Sequence, residues 1–365
     1  MPSVLKDLYF SEEFVHQLAE VMGQVYAPFD RARFLDLVLT DAWPDRELKD
    51  RMRHLSHCLH AVLPADYPET LPLLLRAAPS FRGLQAMVFC DYIEVYGLEH
   101  WHLSMSALGE LTPLGSSEFA VRPYLDQDPE RAMPTLRAWA VDPDPAVRRL
   151  ASEGSRPRLP WAMALPKFKQ DPALVLQLLE LLKDDPSEAV RKSVANHLND
   201  ISKDHPDVAL EVGERWLGHS KERDWIVKHA LRTLLKAGDR RALRLFGFDD
   251  PTHLHVENLA LDRASPAIGE SLPFSFDLCV QTAEPCKVRL ELGVDYRKAR
   301  GQLSRKIFQL REATYAPGRH RVARKHSFQE RSTRKHYPGE HRLTILVNGV
   351  EKATVSFDLK EAPRS

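Results

Sequence analysis

Within the twenty residues Asp142–Trp161, DPDPAVRRLASEGSRPRLPW, a carboxylate, four arginines and a tryptophan fall after the Asp-Pro-Asp-Pro opening. Glu153 is the carboxylate, Arg148, Arg149, Arg156 and Arg158 are the cations, and Trp161 closes the stretch. Arginines at this density suit phosphate. A carboxylate held among them is either their ion-pair partner or a group that acts on a substrate, and the residue types alone leave both open. The local signals say how the stretch is built. Asp142-Pro143-Asp144-Pro145 reads as a helix start, because proline fits before or in a first helical turn. Val147, Leu150 and Ala151 then share one helical face. Gly154 can end the helix, and Ser155 to Trp161, with Pro157 and Pro160, cannot continue it. The expectation is a short helix followed by a stiff loop that keeps Arg156, Arg158 and Trp161 near Glu153.

The elements that position this stretch follow from the rest of the chain. Its 365 residues suit two domains, or a long array plus a domain, and 43% hydrophobic with 28% charged residues is ordinary globular composition. No apolar run approaches the roughly 20 residues of a membrane span. The start, MPSVLKDLYFSEEF, lacks the pattern of a signal peptide, so a cytoplasmic location is expected. Cys58, Cys90, Cys279 and Cys286 form no metal spacing and are expected as reduced thiols. The net charge of zero conceals an asymmetry: residues 297–335 hold 13 basic and 2 acidic residues. That points to a polyanionic partner, with a solvated basic sheet face as the lesser alternative.

Residues 3–40 carry helical periodicity, with a start at Ser11, and 45–63, 68–77, 83–96, 101–110 and 116–125 read as further helices. His54, His57 and His60 are spaced as on one helix, which predicts a solvated face more readily than a metal site. From 129 a repeat emerges. Val147-Arg148 aligns with Val190-Arg191 at an offset of 43, and Val190-Arg191 with Val227-Lys228 at 37. An earlier helix lies between each pair, at 171–182 and 206–217. Two helices per roughly 40 residues is the HEAT-type pattern, whose second helices line a concave face. Arg148, Arg191 and Lys228 are expected on that face, either meeting DNA or bonding the aspartates of the preceding repeat.

At 249–253 the composition changes, and a period-two alternation follows, ending in a hairpin around Asn348-Gly349. About seven short strands indicate an immunoglobulin-like sandwich. The expected organisation is therefore multidomain, α then β: a helical HEAT-like solenoid over 1–248, a linker at 249–253 and a β-sandwich over 254–365. Cys279 and Cys286 could meet across a hairpin, but free thiols are the expectation.

No Walker loop, GxGxxG, GxSxG or HExxH occurs. Three segments instead carry a family likeness: Ser116-Ser117-Glu118-Phe119-Ala120-Val121-Arg122-Pro123, the run from Arg148 to Trp161, and Val194-Ala195-Asn196-His197-Leu198-Asn199-Asp200. Together they resemble the AlkC branch of the HEAT-like DNA alkylation-repair glycosylases, over about residues 1–248, and 253–365 look like the immunoglobulin-like extension found in part of that branch.

That resemblance implies hydrolysis of the N-glycosidic bond of 3-methyladenine and 3-methylcytosine in duplex DNA, with water as nucleophile and no cofactor or metal. N3-alkylation makes the base a cation and a good leaving group, so the remaining barrier is the oxocarbenium-like sugar and delivery of water. A fixed carboxylate serves both. Glu153 is the first candidate, Glu118 the second and Asp200 the third, with Trp161 packing on the sugar or the cationic base edge. The same likeness implies engagement of the lesion without full flipping, by a monomer. Phosphate contacts are expected from Arg122, Arg148, Arg156, Arg158, Lys167, Lys169, Arg191 and Lys228. A clamp is expected from Arg297, Lys298, Arg300, Arg305, Lys306, Arg321, Arg324 and Lys325 of the sandwich. Two alternatives stand beside this reading: a non-catalytic HEAT scaffold and a protein that binds distorted DNA without cleaving it.

Overall fold

A computed structural model of the chain describes residues 2–249, 251–330 and 335–362. Helices come first: α1 (Pro2–Tyr9), α2 (Glu12–Val25), α3 (Arg31–Val38), α4 (Leu48–Val62), α5 (Tyr67–Ala77), α6 (Met87–Tyr96) and α7 (Trp101–Leu111). Then follow α8 (Arg122–Gln127), α9 (Pro129–Trp139), α10 (Pro145–Gly154), α11 (Pro166–Gln170), α12 (Ala173–Leu182), α13 (Glu188–Ile201), α14 (Pro206–Trp216) and α15 (Lys221–Ala230). The Ser11 start is real, since its hydroxyl accepts the Phe14 N–H at 3.2 Å. Among the described residues no helix is long and apolar enough to cross a membrane.

The repeat read from the sequence corresponds to the pairs α9–α10, α12–α13 and α14–α15, whose second helices pack in series, α10 on α13 and α13 on α15. The helix expected at 116–125 is different. Residues 116 and 117 are irregular, 118–121 form a turn, and the helix begins only at Arg122. Serine chemistry explains this: the Ser117 hydroxyl donates to Leu108 O at 2.6 Å, and the Ser117 N–H to Thr112 Oγ1 at 3.1 Å. Such local bonds compete with a helical ladder. Helix α10 does stop at Gly154, as expected, but the absent side chain has a second use there. A Cβ at Gly154 would lie 2.7 Å from Val121 Cγ1, so its lack of a side chain lets α10 approach the turn.

The chain divides into two compact units, Met1–Ala230 and Leu231–Ser365. The second holds α16 (Arg232–Ala237) and α17 (Arg240–Leu245) together with the strands. These helices group with the sheets because Gly238 meets Gly349 backbone to backbone: a Cβ on Gly238 would stand 2.9 Å from Gly349 O. The strands are β1 (Leu254–Leu261), β2 (Ser271–Val280), β3 (Cys286–Arg297), β4 (Leu303–Tyr315), β5 (Gly318–Ser327), β6 (Gly339–Val347) and β7 (Val350–Leu359). They form two antiparallel sheets, β1-β2-β5 and β4-β3-β6-β7. Phe274, Phe276 and Leu278 of β2 share a buried core with Val288, Leu290 and Leu292 of β3, the period-two positions of the sequence. Asn348 and Gly349 both adopt positive φ, 46° and 77°, as a tight two-residue hairpin demands. All four cysteines are free, and Cys279 and Cys286 lie on strands of different sheets.

Candidate active site

One turn and two helix ends bring the three candidate carboxylates together. Glu118 lies in the serine-rich turn before α8, Glu153 in the last turn of α10 and Asp200 near the end of α13. Arg156, one turn beyond Glu153, joins two of them. Its Nη1 donates to Glu153 Oε1 at 2.7 Å, and its Nε and Nη2 both reach Asp200 Oδ2 at 2.9 Å. Arg149 joins the third. Its Nη2 donates to Glu118 Oε2 at 2.8 Å and stands 3.7 Å from Glu153 Oε1. Lys203 donates to Asp200 Oδ1 at 2.9 Å, and the Ser116 hydroxyl to Glu118 Oε2 at 3.0 Å. The result is a row of ion pairs from Glu118 to Lys203, hydrogen-bonded at every link but the longer one between Arg149 and Glu153.

Exposure separates the carboxylates. The side chain of Asp200 is 3% accessible, that of Glu153 9% and that of Glu118 16%. Both oxygens of Glu153 are occupied, because Ser193 donates to Oε2 at 2.6 Å. Burial pushes the Glu153 carboxyl up. The charge of Arg156, the Ser193 hydroxyl and the charge of Arg149 outweigh it and hold the group below the usual carboxylate range. Glu153 is thus a buried, ionised and poorly basic charge. Glu118 is the more open of the two glutamates, and its bonds all fall on Oε2.

Beneath Glu153, the Ser193 hydroxyl lies 2.9 Å from that of Ser152. His197 is wholly buried, with Nδ1 3.0 Å from Ser152 O. A carbonyl only accepts, so Nδ1 carries the hydrogen. Burial, then the charge of Arg156, push the His197 pKa down from 6.5 to about 3. The unfolded chain therefore takes up a proton below pH 6.5 that the folded chain refuses. The stability contribution is fully present above that pH and is lost as pH falls toward about 3, at about 1.4 kcal/mol per pH unit. His197→Gln should remove this slope between pH 6 and 4 in denaturant titrations; parallel pH profiles for the two proteins would refute it.

Trp161 is no core residue. It is 67% exposed and its φ is 65°, a left-handed conformation that is strained for a bulky side chain. The loop that carries it is closed by Leu165 N–H on Pro157 O at 3.1 Å and braced from inside by Arg122. Arg122 is fully buried and donates to Met163 O, Gly154 O and Arg156 O at 2.7, 2.9 and 2.9 Å.

The arginines expected at phosphate divide accordingly. Arg122 and Arg156 are buried and spent inside the protein, so their geometry serves the loop and the carboxylates. Arg148 holds Asp185 at 2.6 and 3.0 Å and the carbonyls of Asp142 and Pro143. Arg191 repeats the carbonyl pattern on Asp185 and Pro186. Each arginine thus ties down its own repeat's Asp-Pro entry, and Arg148 bonds the aspartate of the following repeat, where the preceding one was expected. Arg158 pairs with Asp204 at 2.6 Å, while Lys167 reaches the carbonyls of Asp126 and Gln127 at the end of α8. Lys169 is half-buried and Lys228 exposed. On the sandwich Lys298, Arg300, Lys306, Arg324 and Lys325 are exposed and Arg297 is half-buried, whereas Arg305 holds Asp295 and Glu351, and Arg321 holds Asp277.

Of the three histidines expected on a solvated face, His57 is exposed, while His54 and His60 are half-buried. His57 and His60 bond the hydroxyls of Tyr96 and Tyr92 at 2.7 and 2.9 Å, and His54 the carbonyl of Leu37. Among the described residues no three His, Cys, Asp or Glu side chains are placed to hold a metal. Ser193, Lys203 and Lys49 have no place among the residues expected from the sequence. Ser193 had no signal beyond its place beside Arg191 in the repeat. Lys49, whose Nζ donates to Trp161 O at 2.7 Å, lies 112 residues away and had none.

Residues 115–234, which hold all three carboxylates and Trp161, match the family model described as DNA alkylation repair enzyme. Residues 255–361 match the C-terminal Ig-like domain of uncharacterised protein YhaZ. The chain is 44% identical over 356 residues to "Uncharacterized protein YhaZ" of Bacillus subtilis (strain 168), covering 97% of this chain and 99% of that one. Its fold matches the solved Pseudomonas fluorescens alkylpurine DNA glycosylase AlkC bound to DNA containing an abasic site analog. The TM-score there is 0.92 and the identity 38%, over 98% of this chain and 99% of that chain.

Proposed function

Because the chain belongs to the AlkC family of DNA alkylation-repair enzymes with a C-terminal immunoglobulin-like domain, we propose that it is a DNA glycosylase acting on cationic alkylated bases in duplex DNA. Its substrates in this reading are 3-methyladenine and 3-methylcytosine. The observation that carries it is the row of carboxylates Glu118, Glu153 and Asp200, with the exposed, left-handed Trp161 on the loop that follows Glu153.

The chemistry fits these groups. The bond from C1′ to the base nitrogen breaks, and its electron pair neutralises the cationic base. Water adds to C1′ and gives up a proton. Glu153 and Asp200, ionised and fixed, supply negative charge against the developing oxocarbenium, which costs no reorganisation at the moment of reaction. Glu118 is the better partner for the water, since it is the most accessible of the three and its bonds leave Oε1 to accept. This reverses the order in which the sequence ranks Glu153 and Glu118. Trp161 offers its face to the sugar or to the cationic base edge, a contact of about 0.5–2 kcal/mol. Water as nucleophile makes the enzyme monofunctional, and it works as a cytoplasmic monomer without a cofactor. The exposed bases of the solenoid and the sandwich, among them Lys228, Lys298, Arg300 and Lys306, hold phosphates.

The test is release of free base from duplexes carrying 3-methyladenine or 3-methylcytosine, followed by chromatography. The wild-type protein is expected to release both and to leave an abasic site. Binding of the methylated duplex without release would leave a DNA-binding protein and end the enzymatic reading.

A further inference from the structure

We propose that Lys49 is a positioning residue for the loop of Trp161, a third support that acts from outside where Arg122 acts from inside. The proposal rests on the glycosylase reading for its kinetic consequence, but not for its structural one. Lys49 belongs to α4, far from the segments that resemble the family motifs. Its Nζ donates to the carbonyl of Trp161 at 2.7 Å and lies 4.7 Å from the centroid of the Phe119 ring. Phe119 directly follows Glu118. One ammonium therefore touches the loop that follows Glu153 and the turn that carries Glu118.

The position of that contact gives it weight. The loop's root is secured without Lys49, by the Leu165–Pro157 backbone bond and by Arg122 on Gly154 O, Arg156 O and Met163 O. Trp161, at the tip, has the strained φ of 65° and an indole that is 67% exposed, so the packing of its ring does little to hold it. A residue in a sparsely populated backbone region persists only where its surroundings over-determine it. The charge-assisted bond from Lys49 fixes the direction of the Trp161 carbonyl, and with it the side of the loop on which the indole stands. The cation over Phe119 ties this to the Glu118 turn. Loss of Lys49 should release the tip and leave the fold intact, because Lys49 is itself exposed.

An exposed lysine could instead be one more phosphate contact, and the experiment separates the two roles. Lys49→Ala and Lys49→Arg are compared with wild type in single-turnover base release from a duplex carrying 3-methylcytosine, in duplex affinity across a salt series, and by acrylamide quenching of Trp161. The last is read as the difference between each protein and its Trp161→Phe counterpart, in the absence of DNA. Expected for Lys49→Ala are an altered Trp161 quenching signal and a bound-state rate lowered about tenfold or more. The logarithmic salt slope of binding should stay unchanged, Lys49→Arg should restore most of the rate, and Lys49→Ala should have no further effect in a Trp161→Ala background. A salt slope reduced by about 0.9 with the bound-state rate preserved would make Lys49 a phosphate contact and overturn the proposal. Unaltered Trp161 quenching would overturn it as well, whether or not wild type releases base. Absence of release by wild type, with quenching altered as expected, would fault the glycosylase reading alone.

Discussion

Glu118→Gln is expected to lower the single-turnover rate of base release about 10²–10³-fold, with melting temperature and duplex affinity nearly unchanged. The substitution keeps the shape and removes the charge. Glu118 is the least buried of the three carboxylates, and its partners Arg149 and Ser116 keep access to solvent or to the amide oxygen. What is lost is the group best placed to align and deprotonate the water. The leaving base needs no acid, so an intact leaving-group step cannot conceal that loss. Glu153→Gln makes the informative contrast: it should reduce activity and also stability, because Arg156 loses one of its two buried counter-charges. If Glu118→Gln releases base at the wild-type rate, water is directed from elsewhere, and Glu153 returns as the candidate.

Arg156→Ala is expected to cost about 3–5 kcal/mol of stability and essentially all activity. Arg156 is 7% exposed and lies between Glu153 and Asp200, so its removal leaves two buried carboxylates short of their main cation. The sign of the accompanying pH effect follows from Glu153. In the wild type its carboxyl sits below the usual range, so its contribution is present above the unfolded value and is lost as pH falls through the folded one. Without Arg156, burial dominates and pushes the carboxyl up. Stability is then lost at a higher pH on acidification. Denaturant titrations of both proteins between pH 7 and 4 measure this, and an Arg156→Ala protein as stable as wild type across that range would show that the pair holds little. Arg156 was expected at phosphate. Its burial makes it the keystone of the carboxylates instead.

The positions where the sequence was legible share one property. Helix starts at Ser11 and Asp144, the alternation of Phe274, Phe276 and Leu278, and the Asn348-Gly349 turn all depend on residues within a few positions of each other. Periodicity and capping are local, and local rules survive folding. The serine-rich segment at 116–121 shows where they give way. Its residues suit a helix, but Thr112 and Leu108 capture Ser117 first.

The sequence by itself determined the order of the elements, the solenoid followed by the sandwich, and the presence of a carboxylate, arginines and a tryptophan on one helix and its exit loop. It also carried the family likeness. Tertiary structure alone decided which groups those residues meet. The pairs Arg149–Glu118, Ser193–Glu153, Arg156–Asp200 and Lys49–Trp161 are 31, 40, 44 and 112 residues apart. Nothing in composition or spacing distinguishes an arginine that will face DNA from one that will be buried against carbonyl oxygens, as Arg122 is. The difference is set by how neighbouring helix pairs stack. Burial also decides the chemistry: the same carboxylate type is a fixed charge at Glu153, where both oxygens are bonded, and an available acceptor at Glu118, where only one is.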